Sequence, residues 1–293
     1  MATWTLVAHG IHQRRGGPFD LSVVVVEGDD GLLVVDSGAD PVEGAEILAD
    51  VTARFARPVV ALVNTHAHFD HTFGNQVFGP GSATDAAIHG HAATARHFER
   101  YEGPRVASWR EDHALEPDRR WEDLRLVPPT HPIATATTLD LGGRLVELRP
   151  QSPAHTDTDL VLLLPEERVW VVGDLIEESG PPMYGSGCYP LDWPGVLDAL
   201  GDELEAGDLV VPGHGSVVRR EFVARQADEL RVIANRFVDA HDAGLGAAEA
   251  LAAHAEWPVP VEGLVGAIER AYAALDGLPL DDEPAGDEPA GDA

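Results

Sequence analysis

At 293 residues, 44% of them hydrophobic and 24% charged, the chain has the length for one large or two modest globular domains and is too apolar for a disordered chain. Fifty acidic residues against 20 basic ones give a formal net charge of −30, a surface that repels phosphate backbones and anionic membranes and so excludes both as expected partners. Every basic residue is an arginine, which excludes Schiff-base chemistry and P-loop phosphate binding, since both need lysine.

One cysteine, Cys188, forbids an intrachain disulfide and points to a reducing cytoplasm. The first residues have no basic stretch ahead of an apolar core, so no signal peptide is expected. The longest apolar runs, such as Leu160 to Leu164, are too short to cross a bilayer.

Taken in order, residues His12 to Pro18 read as a loop. Leu21–Val26 and Leu32–Asp36 flank the turn residues Gly28 to Gly31 and predict a hairpin. Pro41 to Phe55 carries apolar residues at helical spacing, and Val59 to Val63 is a strand of buried type. A short strand is expected at Ala87-Ile88 and a helix from Ala92 to Tyr101. Between Glu102 and His131 two tryptophans, four prolines and many charges predict an irregular, helix-containing insertion. Two readings stand for it, a cover over a pocket or surface padding.

Strands resume at Arg144–Leu148, Leu160–Leu164, Val169–Val172 and Leu209–Val211. From Glu221 the pattern is helical, with further helices at Ala247–His254 and Leu264–Leu275. Residues 281–293 repeat Glu-Pro-Ala-Gly-Asp with almost nothing apolar and are expected to be a disordered acidic tail. Strands alternating with helices, without a glycine-rich phosphate loop, make this a mixed α/β domain.

The chemistry concentrates in Asn64-Thr65-His66-Ala67-His68-Phe69-Asp70-His71. Four side chains able to hold a metal follow a buried strand, and in extended backbone residues two apart share a side, so His66, His68 and Asp70 can face one way. Imidazole and carboxylate are the ligands that borderline divalent metals such as zinc prefer. Downstream, His155, Asp174 and His214 each stand at the end of a predicted strand, the usual place for functional groups fixed by a rigid sheet.

His66, His68, Asp70 and His71 in H-x-H-x-D-H order, followed by His155-Thr156, Gly173-Asp174 and Pro212-Gly213-His214-Gly215, resemble the metallo-β-lactamase-fold hydrolase superfamily. Val35-Asp36-Ser37-Gly38 resembles that family's early aspartate-containing turn. The resemblance implies a four-layer αββα sandwich, with C-terminal helices, carrying two metals at one edge. His66, His68 and His155 would hold one metal, Asp70, His71 and His214 the other, and Asp174 would bridge them. Two zinc ions per chain are expected, with iron or manganese as alternatives. The organisation this gives is one hydrolase domain over residues 1–280, with 98–132 as the insertion and 216–280 as a helical C-terminal part.

The implied activity is hydrolysis of a small-molecule ester, thioester or lactone, in which a hydroxide shared by the metals attacks the carbonyl and Asp70 orients it and shuttles a proton. An aspartate at position 174, where the main dizinc lactamases carry a cysteine or a non-bridging residue, shifts weight toward thioesterases and lactonases. Glu177 stands where the resembling lactone hydrolases have a tyrosine. The alternatives are a β-lactam hydrolase and an iron-dependent oxidoreductase of the persulfide dioxygenase type. Tyr184 and Tyr189 are candidate oxyanion donors. Asp36 is expected to satisfy backbone donors and Asp159 to brace the His155 loop. Cys188 is expected to be inert, and His9, His89, His91, His97, His113, His131, His241 and His254 are read as ordinary capping or surface histidines.

Overall fold

The computed structural model describes residues 2–280; the acidic tail of residues 281–293 lies outside the described residues. In chain order the first half runs through β1 (Thr3–Ala8), β2 (Ile11–Gly16), β3 (Leu21–Glu27), β4 (Leu32–Val35), α1 (Pro41–Phe55) and β5 (Val59–Val63). Then come α2 (Phe69–Thr72), α3 (Asn75–Phe78), β6 (Ala87–His91), α4 (Thr94–His97), a π-helical turn at Phe98–Glu102, α5 (Gly103–Glu111) and β7 (His131–Ile133). The second half holds β8 (Thr137–Asp140), β9 (Leu145–Pro150), β10 (Leu160–Leu164), β11 (Val169–Glu177), α6 (Trp193–Glu203) and β12 (Leu209–His214). It closes with α7 (Arg220–Asp242), α8 (Ala247–Ala252) and α9 (Val265–Leu275).

Period-two patterning builds the layers. Val24 and Val26 of β3, Leu33 and Val35 of β4, and Ala61 and Val63 of β5 pack against Leu160, Leu162 and Leu164 of β10 and Val169 and Val171 of β11. Their strand neighbours Val23, Val25, Leu32, Val34 and Leu62 point the other way, onto Ile47 and Val51 of α1. On the far side Val161, Leu163, Trp170 and Val172 meet Leu197 of α6, Leu230 and Ile233 of α7, and Ile268 of α9. Because both faces of the central strands are covered, β4, β5 and β10 are apolar throughout rather than alternating with polar residues. The result is the αββα sandwich with C-terminal helices.

The strand path is β7-β6-β5-β4-β3-β12-β11-β10-β9-β8, with β2 also pairing with β3 and β1 pairing with β2. The two halves join where β3 meets β12 through one pairing, His214 with Leu21. The ends of β5 and β12 therefore open on the same edge.

Two expectations change. His12 to Pro18 is largely strand, since β2 pairs along β3 from Ile11↔Val26 to Gly16↔Leu21. Its polar side chains hid this, but each has a partner: the Gln13 amide donates to Ser22 Oγ and to the Gly215 carbonyl, both at 2.8 Å, and Arg14 pairs with Asp50 at 2.8 Å. The Val169 strand also runs past Asp174 to Glu177, so Asp174 lies within β11 rather than at its end. Among the described residues no helix is long and apolar enough to cross a membrane.

Candidate metal centre

The turn after β5 carries His66 and His68, and the short α2 carries Asp70 and His71. Backbone bonds fix this turn. The Leu160 amide donates to the Thr65 carbonyl at 2.7 Å, and the Ala67 amide to Thr158 Oγ1 at 3.0 Å, which ties the turn to the segment bearing His155. Thr156 in turn donates its amide (3.0 Å) and its hydroxyl (2.8 Å) to Asp159. His214 closes β12, and at Gly213 a Cβ would fall 1.7 Å from Asp174 Oδ1, so only glycine lets the two strands bring Asp174 and His214 together.

All seven side chains proposed from the sequence converge. One ligand atom each from His66, His68, His155 and Asp174, and likewise from Asp70, His71, Asp174 and His214, lies within 4.8 Å of the others in its group. Asp174 belongs to both groups. Its Oδ1 is 3.2 Å from His71 Nε2, and its Oδ2 is 3.3 Å from His214 Nε2, 3.6 Å from His155 Nε2 and 3.7 Å from His66 Nε2. Asp70 Oδ2 is 3.2 Å from His214 Nε2 and 3.6 Å from His71 Nε2. All seven residues are buried.

The hydrogen bonds on the outer side of the rings decide which nitrogens face inward. His71 Nδ1 donates to Asp36 Oδ2 at 2.8 Å, and His214 Nδ1 to the Phe19 carbonyl at 2.7 Å. His68 Nε2 donates to the Ser186 carbonyl at 2.9 Å. The remaining nitrogens then carry lone pairs: His71 Nε2 and His214 Nε2 face each other at 3.2 Å, and His68 Nδ1 faces His155 Nε2 at 3.0 Å. His66 Nε2 and Asp174 Oδ1 are buried without a hydrogen-bond partner. Inward-facing lone pairs, orphaned buried acceptors and one shared carboxylate are what two cations would satisfy, so the residues present fit a dinuclear site.

The electrostatics agree. Burial pushes His155 down to about 3 and His66 well below the ordinary imidazole range, so both rings are neutral, as a ligand must be. Burial opposes charge on His71 and His214 as well, but Asp174 and the neighbouring carboxylates outweigh it and hold both well above the usual range. Against the same cost of burial, the charge of His71 keeps Asp70 and Asp174 low. The raised values of His71 and His214 reflect the excess of carboxylate charge around them, which bound cations would also balance.

Other sequence candidates fall in place around this centre. Asp36 accepts from the Thr65 amide as well as from His71. Glu177 is buried, and burial followed by the charge of Asp174 pushes its carboxyl well above the usual range. Tyr184 packs edge-on against Trp193 with its hydroxyl buried, and the Arg270 guanidinium lies over the Tyr189 ring. Cys188 is buried. His97, read from the sequence as ordinary, is wholly buried, donates from Nδ1 to Asp157 Oδ1 at 2.6 Å and has its ring 5.7 Å from that of His68. The signal that could have exposed it was its place in the helical stretch leading into the insertion, opposite an aspartate two residues beyond His155.

Residues 16–217 match the profile of the Metallo-beta-lactamase superfamily. The chain is 24% identical over 210 residues to the metallo-beta-lactamase type 2 of Bacillus cereus, covering 71% of this chain and 72% of that protein. It is 25% identical over 220 residues to the acyl-coenzyme A thioesterase MBLAC2 of Gallus gallus, covering 70% and 76% respectively. Among solved structures, the stereoselective inverting sec-alkylsulfatase Pisa1 from Pseudomonas sp. superposes with a TM-score of 0.74 at 19% identity, over 96% of this chain. The chain spans about half of that enzyme, 51% of its length, and the likeness speaks to the fold. All seven convergent side chains fall inside the matched span, and the chain belongs to the metallo-beta-lactamase superfamily as a metal-dependent hydrolase.

Proposed function

We propose that this protein is a dinuclear zinc hydrolase that cleaves a small-molecule ester, thioester or lactone. The observation that carries the reading is Asp174, whose two oxygens are shared between a three-histidine group and an Asp-His-His group. His66, His68 and His155 would hold one ion, Asp70, His71 and His214 the other, and Asp174 both. When bound, such ions make water a nucleophile near neutral pH and polarise a carbonyl.

The chain's own residues supply the rest. Asp70 is buried and ionised, with Oδ2 held 3.2 Å from His214 Nε2, so it is the carboxylate placed to take the proton of the attacking water and return it to the leaving group. Asp36, Ser186 and the Phe19 carbonyl fix the tautomers of His71, His68 and His214, so the rings need not reorganise during turnover. Phe69, between His68 and Asp70, sits under the guanidinium groups of Arg105 and Arg119. The thioesterase among the relatives supports a thioester within this class. The single buried cysteine fits a cytoplasmic setting.

Metal analysis of protein purified without added metal, followed by a panel of thioesters, lactones, phosphodiesters and a chromogenic β-lactam, tests the reading. Two zinc ions per chain with thioester or lactone turnover are expected. Iron with oxygen consumption would overturn it in favour of an oxidoreductase, and turnover confined to the β-lactam would reassign the substrate.

A further inference from the structure

We infer that Arg270, on the C-terminal helix α9, is a positioning residue for the metal centre that acts on His68 through the loop Ser186–Cys188. The inference rests on reading His66, His68, His155 and Asp174 as one metal group.

The Ser186 carbonyl lies 2.9 Å from His68 Nε2. A carbonyl oxygen can only accept, so Nε2 carries the hydrogen and Nδ1 is left as the nitrogen available to a cation, facing His155 Nε2 at 3.0 Å. The position of one loop carbonyl thereby sets both the tautomer and the tilt of a ligand ring.

The loop lies outside helix and strand; the Cys188 amide on the Gly185 carbonyl at 3.2 Å and the Tyr189 amide on the Ala154 carbonyl at 2.8 Å shape it, and two side chains fix it further. From one side the buried His97 ring does so: Gly187 has φ +77°, and a Cβ there would come 2.9 Å from His97 Cε1. His97 is itself tied to Asp157 at 2.6 Å. From the other side Arg270 Nε donates to the Cys188 carbonyl at 2.6 Å, while the guanidinium lies over the Tyr189 ring and Nη1 also reaches the Leu280 carbonyl at 3.4 Å.

Arg270 is only 6% exposed. Burying a guanidinium is costly unless its donors are hydrogen-bonded, and a charge-assisted bond to a carbonyl is among the stronger of such bonds. Here the bond falls two residues from the carbonyl that orients His68, so a shift at Cys188 is passed to the ligand ring. The C-terminal helix lies beyond the span matched by the family profile, and yet it reaches the metal centre through this loop.

Full-length wild type, Arg270→Gln, Arg270→Lys and Gly187→Ala are titrated with zinc against a chromogenic chelator, with cobalt absorption spectra and circular-dichroism melts alongside. Wild type is expected to take two ions. Arg270→Gln should weaken one of them by about 10–100-fold, the range for losing an outer partner of a ligand, and change its cobalt spectrum while the second ion and the melt stay near wild type. Arg270→Lys, which keeps a charged donor, should recover most of that loss. Gly187→Ala should reproduce it from the other side of the loop, and it carries the test should Arg270→Gln fail to fold. Two ions bound with unchanged affinity in folded Arg270→Gln overturn this inference alone, as does equal weakening of both ions alongside a lowered melt. Wild type that binds no metal overturns the proposed function and this inference together.

Discussion

Asp36 Oδ2 stands 2.8 Å from His71 Nδ1, while its Oδ1 takes the Thr65 amide at 2.8 Å. One carboxylate thus fixes the turn that presents His66 and the tautomer of His71. Asp36 has φ +66°, a conformation that asparagine also tolerates, so Asp36→Asn should leave the backbone in place. The amide cannot accept at both positions as the carboxylate does, and His71 loses its oriented partner. Zinc affinity at the Asp70-His71-His214 group should fall by about 10–100-fold, with the His66-His68-His155 group less affected. Chelator competition measures this, and two wild-type affinities in Asp36→Asn would count against it.

His68→Ala should lower turnover by more than about a hundredfold and leave the fold intact. The ring neighbours of His68 are His66, His97 and His155, so the apolar core does not rest on it. The melt of the metal-free variant should stay within about 2 °C of metal-free wild type, a shift that corresponds to about 1 kcal/mol in a chain of this size. Loss of the near-ultraviolet circular-dichroism signal would instead make the ligand set structural.

How far the sequence reaches can be read from particular residues. His66, His68, Asp70 and His71 were legible because ligand spacing and a preceding strand are both local, and His155, Asp174 and His214 because each comes after or within a segment that reads as strand. Most strands and most helices were legible from their periodicity, while β7, β8 and α6 were not expected. What failed was non-local. β2 read as a loop because Gln13 and Arg14 are polar, and only the folded chain shows their partners Ser22, Gly215 and Asp50. His97 read as ordinary because Asp157 lies 60 residues away, and the Ser186 carbonyl carries no side-chain signature at all.

The insertion yields a further prediction. Trp121 is fully buried, donates from Nε1 to the Ala39 carbonyl at 2.9 Å and has its ring 5.2 Å from Phe73, 5.7 Å from Trp109 and 5.8 Å from Phe69. It ties the segment bearing Val106, Trp109 and Leu124 to the helix that carries Asp70 and His71. Trp121→Ala should cost about 3–5 kcal/mol, much of it as local opening. If the insertion covers the pocket, KM should rise more than kcat falls, and limited proteolysis should gain cuts between residues 112 and 120. A variant with altered KM and no new cuts, or new cuts and unaltered kinetics, would separate the packing role from the covering role.

Asp208 gives a stability test remote from the metal centre. Its carboxylate accepts from Arg168 Nε at 2.9 Å and Nη2 at 2.6 Å, from Trp170 Nε1 at 3.0 Å and from the Glu205 amide at 3.0 Å. Burial opposes ionisation, but these donors prevail and hold the carboxyl below the usual aspartate range. A depressed folded pKa means that the unfolded chain binds the proton more readily. The contribution is therefore complete above the unfolded value of about 3.9 and is lost as pH falls through the lower folded value. Asp208→Asn should cost about 1–3 kcal/mol at neutral pH, toward the lower end because Arg168 is about a third exposed, 35%. Urea unfolding at neutral pH and well below pH 4 checks the sign. The gap between wild type and Asp208→Asn should narrow on acidification, and a gap that is unchanged or widens would show that the pair does not stabilise through its charge.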